Sequence, residues 1–163
     1  MIQTFPYFKR ALLLLSLIFL SVMQVCAQQL SVGSLICEYK TNPLSISVQN
    51  PRLGWKLVSS GRNVMQAAYE VRVATSREDV LAGKNLIWKT GKVGSDQSVH
   101  VPYAGSMLKS GQTYFWQVRV WDNQKNTSAW SAVQFWGMGL LAPEDWKAKW
   151  ITVADADSTR PSP

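Results

Sequence analysis

Chemistry needs side chains that ionise, attack or ligate, and this chain offers few. Its 163 residues contain 10 Asp plus Glu, one His and 2 Cys. Acid–base work by carboxyls needs two of them across a pocket, one held protonated and one ionised by their surroundings. The acids here sit in other contexts. Glu70 takes the polar, outward parity of an alternating run. Glu78 and Asp79 follow Thr75-Ser76 as first-turn acids of a short helix, and Ser76 or Thr75 can cap it. Asp122 opens a polar turn, and Glu144-Asp145 follow Pro143 in a helical turn. His100 lies on the outward side of its run with no Ser or Cys partner, which makes it a solvated histidine rather than a general base. No Cys or His cluster has zinc-ligand spacing. No catalytic, cofactor or metal residue is therefore assigned. Cys37 shares parity with Leu35 and Tyr39, the pattern of a buried, inert thiol.

Aromatic side chains are the better-supplied chemistry. Eight Trp is many for this length. Trp55 and Trp116 fall on inward positions of their runs. Phe115 and Trp121 fall on the polar parity of theirs, while Trp130 and Trp136 lie near strand ends. Aromatics so placed either pack on a neighbouring domain or stack on sugar rings. Exposed apolar patches more often mark interfaces, so Phe115, Trp121, Trp130 and Trp136 are read first as interdomain residues.

The elements that would carry these residues are strands. Tyr114, Trp116, Val118 and Val120 share one parity, with Gln117 and Arg119 on the other, and Asp122 to Asn126 is turn chemistry. A second strand over Trp130 to Gly137 would bury Val133 and Phe135 and close a hairpin. Leu30–Tyr39 reads as a strand broken by Gly33, and similar alternation runs through Arg52–Ser59, Ala67–Ala74 and Ser98–Tyr103, where Val99 and Val101 point inward and Pro102 marks an edge. Shorter pieces fall at Ser45–Val48 and Leu86–Lys89. About seven short strands, with one short helix near residues 76–82, predict an all-β antiparallel sandwich of immunoglobulin or fibronectin type III kind. Leu108, six residues before Tyr114 with Gly111 between, makes Tyr114 the corner residue, its hydroxyl bonded to upstream backbone.

Lys9-Arg10, the apolar run Ala11 to Met23 and Val25-Cys26-Ala27 read as a signal peptide over residues 1–27, so the mature chain is exported, periplasmic or secreted. It keeps one thiol and no internal disulfide. Residues 31–137 form the sandwich, 138–152 a junction opening a second sandwich, and 153–163 a polar, disordered tail. Losing Lys9 and Arg10 lowers the net charge from +7 to +5, and the remaining cations are scattered singly. That pattern offers no nucleic-acid stripe and no membrane-binding helix.

Several pieces together resemble the N-terminal region of bacterial α-L-rhamnosidases of glycoside hydrolase family 78. They are Cys37-Glu38-Tyr39 with Asn42-Pro43-Leu44, Pro51 to Trp55, Gln66 to Ala74, Leu86 to Val93, Tyr114 to Asp122 and Trp130-Ser131. The junction from Met138 to Leu141 and from Asp145-Trp146 to Trp150-Ile151 adds the W-x-A-K-W-I signature. The resemblance implies a fibronectin-like module, then a second β-sandwich, then an (α/α)6 barrel that hydrolyses terminal α-L-rhamnose. The sequence stops soon after Ile151, before any barrel. Inverting hydrolysis needs carboxyls about 6.5–9.5 Å apart across a pocket, and no residue here matches the family's pair. The expectation is a non-catalytic module whose partners are the downstream domains of a parent enzyme. The alternatives are a free-standing glycan-binding or adhesion module, and a truncated product without a role of its own.

Overall fold

A computed structural model of the protein describes residues 30–149. The expected signal peptide over 1–27, the end of the expected junction from Trp150 and the tail over 153–163 lie outside the described residues. The rest forms two facing antiparallel sheets. The smaller has the order β1 (Leu30–Cys37), β2 (Arg52–Ser59), β6 (Val101–Pro102). The larger runs β4 (Trp88–Lys89), β3 (Gln66–Ala74), β7 (Thr113–Asp122), β8 (Gln134–Gly137), with β5 (Val93–Gly94) also on β3. Pro102 lies in the edge strand β6, where its missing N–H costs no ladder bond.

Side-chain alternation dictates this arrangement. Val71 and Val73 of β3 pair with Val118 and Trp116 of β7, and all four point between the sheets. Leu53 and Trp55 of β2 meet them from the other side. Each such side chain contributes about 1.5–3 kcal/mol by leaving water. Trp55 donates its indole N–H to Gln66 Oε1 at 2.8 Å, so this buried polar edge is satisfied. Between β3 and β4 lies α1 (Arg77–Ala82). Ser76 caps it by accepting the Asp79 N–H at 3.1 Å, Gly83 ends it at φ 67°, and Val80 is its buried contact.

Four local expectations differ from the structure. Ser45–Val48 forms no strand. Instead Ile46 makes a single parallel bridge to Met138. The backbones approach so closely that a Cβ on Gly137 would clash with the Leu44 carbonyl oxygen. Val93–Gly94, outside the strands read from the sequence, pairs with β3 as β5. Val99 is exposed because His100, at φ 56°, breaks the alternation just before β6 begins. In β8 the inward side chain is Trp136, not Phe135, and Val133 lies half-buried before the strand begins. Pairing of Phe115 with Phe135 sends both to the outer face, and Tyr114 with Trp136 brings both inward.

Candidate functional site

The outward residues of β3 and β7 build a second packed layer on the outer face of the larger sheet. Glu70 stands opposite Arg119, Arg72 opposite Gln117 and Ala68 opposite Trp121. Glu70, expected to point into solvent, is only 2% exposed. Its carboxylate accepts from Arg119 at 2.6 Å and faces Lys89 at 3.6 Å. It is outward from the core yet covered, because the layer above it is made of guanidiniums and indoles. The Arg72 guanidinium lies 4.0 Å from the Trp130 ring centroid and Arg119 4.7 Å from the same ring. Arg119 and Lys92 lie 5.0 and 4.7 Å from the Trp121 centroid. Arg72 also bonds Gln117 Oε1 at 2.7 Å. Burial, and then the like charge of Arg119, lower the Arg72 pKa, and Glu70 opposes that shift.

Two serines hold Trp130 over this face. Ser128 and Ser131 each donate a backbone N–H to β7, to the carbonyls of Val120 and Val118 at 2.9 Å. Each hydroxyl accepts the N–H of the same β7 residue, at 3.0 and 3.1 Å. The segment expected to begin a strand is thus a run in which two hydroxyls supply the missing strand partner. Asp122 organises the preceding turn, accepting the N–H groups of Gln124 and Asn126 at 2.9 and 2.7 Å.

The four aromatics singled out in the sequence therefore separate. Phe115 is half-buried against Phe135, with centroids 6.2 Å apart. Trp121 and Trp130 are half-buried among cations. Trp136 is no surface aromatic. It is 0% exposed, stacked on Tyr114 at 5.7 Å and meeting Tyr103 edge-on at 5.9 Å. Tyr114 is buried at the start of β7, and its hydroxyl accepts the Lys109 N–H at 2.8 Å.

The acids are engaged in structure. Glu38 binds Arg52 through both oxygens, at 2.7 and 3.1 Å. Asp79 accepts from Ser76 and Asn85. Asp145 is held below the usual carboxylate range, first by the Ser110 hydroxyl and then by the Ala142 N–H. Among the described residues, no three His, Cys, Asp or Glu side chains gather as a metal site. Burial, reinforced by Glu38, pushes the Cys37 thiol up to about 12, so it is a poor nucleophile.

One surface remained unnoticed in the sequence. Three segments, 43–49, 107–112 and 138–146, are tied together at one end of the sandwich. Ile46 N–H bonds Gly137 O at 2.9 Å, Gly139 N–H bonds Ile46 O at 2.8 Å and Gln49 reaches Leu108 O at 3.2 Å. Leu141 N–H bonds the Ser110 hydroxyl at 2.9 Å. These segments expose Leu44 (82%), Met107 (85%), Trp146 (59%), Val48 and Leu140. Such residues in turn segments carry no periodicity; the available signal was large apolar side chains beside Pro43, Gly105 and Pro143.

Comparison with known proteins fits this architecture. The profile of Rha78A-like, N-terminal immunoglobulin domains matches residues 32–142. An α-L-rhamnosidase of Streptomyces avermitilis is 43% identical over 133 residues, which are 82% of this chain and 13% of that protein. One of Formosa agariphila is 34% identical over 155 residues, 90% of this chain and 16% of its own. Among solved structures, the Streptomyces avermitilis α-L-rhamnosidase complexed with L-rhamnose matches at TM-score 0.71 and 46% identity, over 76% of this chain and 12% of that one. The α-L-rhamnosidase of Dictyoglumus thermophilum matches at 0.72 and 41%, over 77% and 14%. The chain thus spans 13% and 16% of the length of these two curated relatives. With its two-sheet fold and this match over most of its described length, the chain belongs to the family of Rha78A-like, N-terminal immunoglobulin domains.

Proposed function

We propose that this chain serves as the non-catalytic β-sandwich module of an exported α-L-rhamnosidase and docks the enzyme's downstream domains. The observation that carries the reading is the apolar end formed by segments 43–49, 107–112 and 138–146. Leu44, Met107 and Trp146 are large and exposed, on segments cross-linked by backbone hydrogen bonds, and the chain runs on from this end towards Lys149. Water-exposed side chains of that size on a hydrogen-bonded platform favour a protein partner. The partner is the polypeptide that follows this module in α-L-rhamnosidases, where the hydrolysis of α-L-rhamnosides resides. The outer aromatic face is a poorer docking surface, because its rings already carry cations and its carboxylate is already paired. Export rests on the basic Lys9-Arg10, the apolar run to Met23 and the small residue at Ala27.

The test uses the Streptomyces avermitilis relative with its own N-terminal immunoglobulin domain removed. Adding this chain is expected to raise the melting temperature of the remainder. The triple variant Leu44→Asp/Met107→Asp/Trp146→Asp, verified as folded by circular dichroism, is expected to lose the effect. Docking that survives the triple variant, or no association of the wild-type chain, overturns the reading.

A further inference from the structure

The opposite character appears at the tip of the β1 hairpin. Cys37 and Lys40 exchange backbone hydrogen bonds at 2.9 and 3.0 Å around a two-residue turn. Its central residues, Glu38 and Tyr39, have φ of 46° and 64°. Turns with both central residues left-handed favour Asn-Gly, since a Cβ is strained there. Here a carboxylate and a phenol take those places. Glu38 is explained by the fold, because its backbone N–H and both carboxylate oxygens staple Arg52 of β2. Tyr39 is not explained by burial, since it is 61% exposed. Its ring is nevertheless fixed: His100 meets it edge-on at 5.3 Å and the Arg52 guanidinium lies 5.1 Å from its centroid. His100 is itself left-handed, at φ 56°. Three strained residues therefore converge on one spot.

Beside the ring lies a hollow of about 80 Å³, floored by Ile36, Leu53, Gly54 and Val99. From these features we infer a saccharide subsite at the tip of the β1 hairpin, selective for a neutral deoxy sugar of the 6-deoxyhexose class. The ring carbons would lie on Tyr39, and the sugar methyl would enter the apolar hollow. The hydroxyls would meet the rim groups His100, Arg52 and Glu38. Charge supports a neutral ligand, because Glu38 and Arg52 neutralise one another. Size supports a methyl and the ring edge beside it rather than a peptide segment. This inference is independent of the docking reading, since the apolar end formed by segments 43–49, 107–112 and 138–146 shares no residue with the hollow.

The test is a titration of the isotope-labelled full chain with methyl α-L-rhamnoside, followed by amide shifts. Saturable shifts at Gly54, Val99 and His100 in the millimolar range are expected. Methyl α-L-mannoside, which carries an added hydroxyl on that methyl, should bind at least about tenfold more weakly, because the hydroxyl would be desolvated in the hollow. Tyr39→Gly relieves the left-handed backbone, so it should keep the folded spectrum and lose binding. No saturable shift, or binding undiminished in Tyr39→Gly, overturns the subsite. Equal affinity for the two glycosides overturns its selectivity for a deoxy sugar. Loss of docking leaves this result unaffected, so the two proposals fail separately.

Discussion

Trp121 and Trp130 on the larger sheet, and Tyr39 at the hairpin tip, are all aromatics outside the sandwich core, yet they do different work. The two indoles are half-buried in a layer of Lys92, Arg119 and Arg72, above a carboxylate with almost no exposure. Tyr39 stands in water on a backbone that prefers glycine. The lesson is that an aromatic count does not locate a binding site. What touches the ring, and how much of it stays in water, narrows the search. On the larger sheet the rings are consumed in stabilising the outer face. At the tip the ring also carries a guanidinium, that of Arg52, but most of it stays in water.

The sharpest way to break this contrast is Arg119→Ala. It removes the main partner of buried Glu70 and leaves, among the described residues, the ion pair with Lys89, which is largely exposed. A buried carboxylate losing its partner costs about 3–5 kcal/mol, and the surviving lysine brings the expected loss to about 2–3 kcal/mol. Urea denaturation measures it. A loss below about half a kcal/mol would mean that the outer layer is not structural. Trp130→Ala comes next. It removes a half-buried indole and two cation–aromatic contacts, each worth about 0.5–1 kcal/mol at such sites, for an expected total of about 1–2 kcal/mol. The same variant should leave glycoside titrations of the hairpin tip unchanged.

The smallest effect is a pH dependence at the tip. The Arg52 hydrogen bond holds the Glu38 carboxyl below its ordinary 4.5. A lowered carboxyl stabilises the fold fully above 4.5, and that gain is lost as pH falls through the folded-state value. The melting-temperature gap between wild type and Glu38→Gln should therefore be constant above pH 4.5 and close below it. A gap that widens in acid would put the stabilisation elsewhere. Thermal melts across this range decide it.

Much of the fold is readable from side-chain parity, and the exceptions have physical causes. Alternation holds along the paired centres of β3 and β7. Tyr69, Val71 and Val73, with Trp116, Val118 and Val120, reach the core as their spacing requires. The helix cap at Ser76 is legible because the side chain acts within its own segment. Where parity misleads, a backbone irregularity intervenes. His100 in a left-handed conformation reverses Val99, and direct pairing with outward Phe115 turns Phe135 away from the core. Glu70 was misplaced for another reason: parity distinguishes two faces of a sheet, but not whether the second face is covered. That depended on Trp130, brought there by Ser128 and Ser131 through hydroxyl bonds that leave no hydrophobic period. The exposed Leu44, Met107 and Trp146 were equally silent, since exposure on turns is set only when the turns assemble.

We propose above all that this sandwich holds and docks, with no glycoside chemistry of its own. Its most direct test is the purified chain incubated with an aryl α-L-rhamnoside at high protein concentration. The account predicts release of the aryl group at the rate of the buffer control. Release that rises in proportion to the chain's concentration, and persists in independently purified samples, would contradict it.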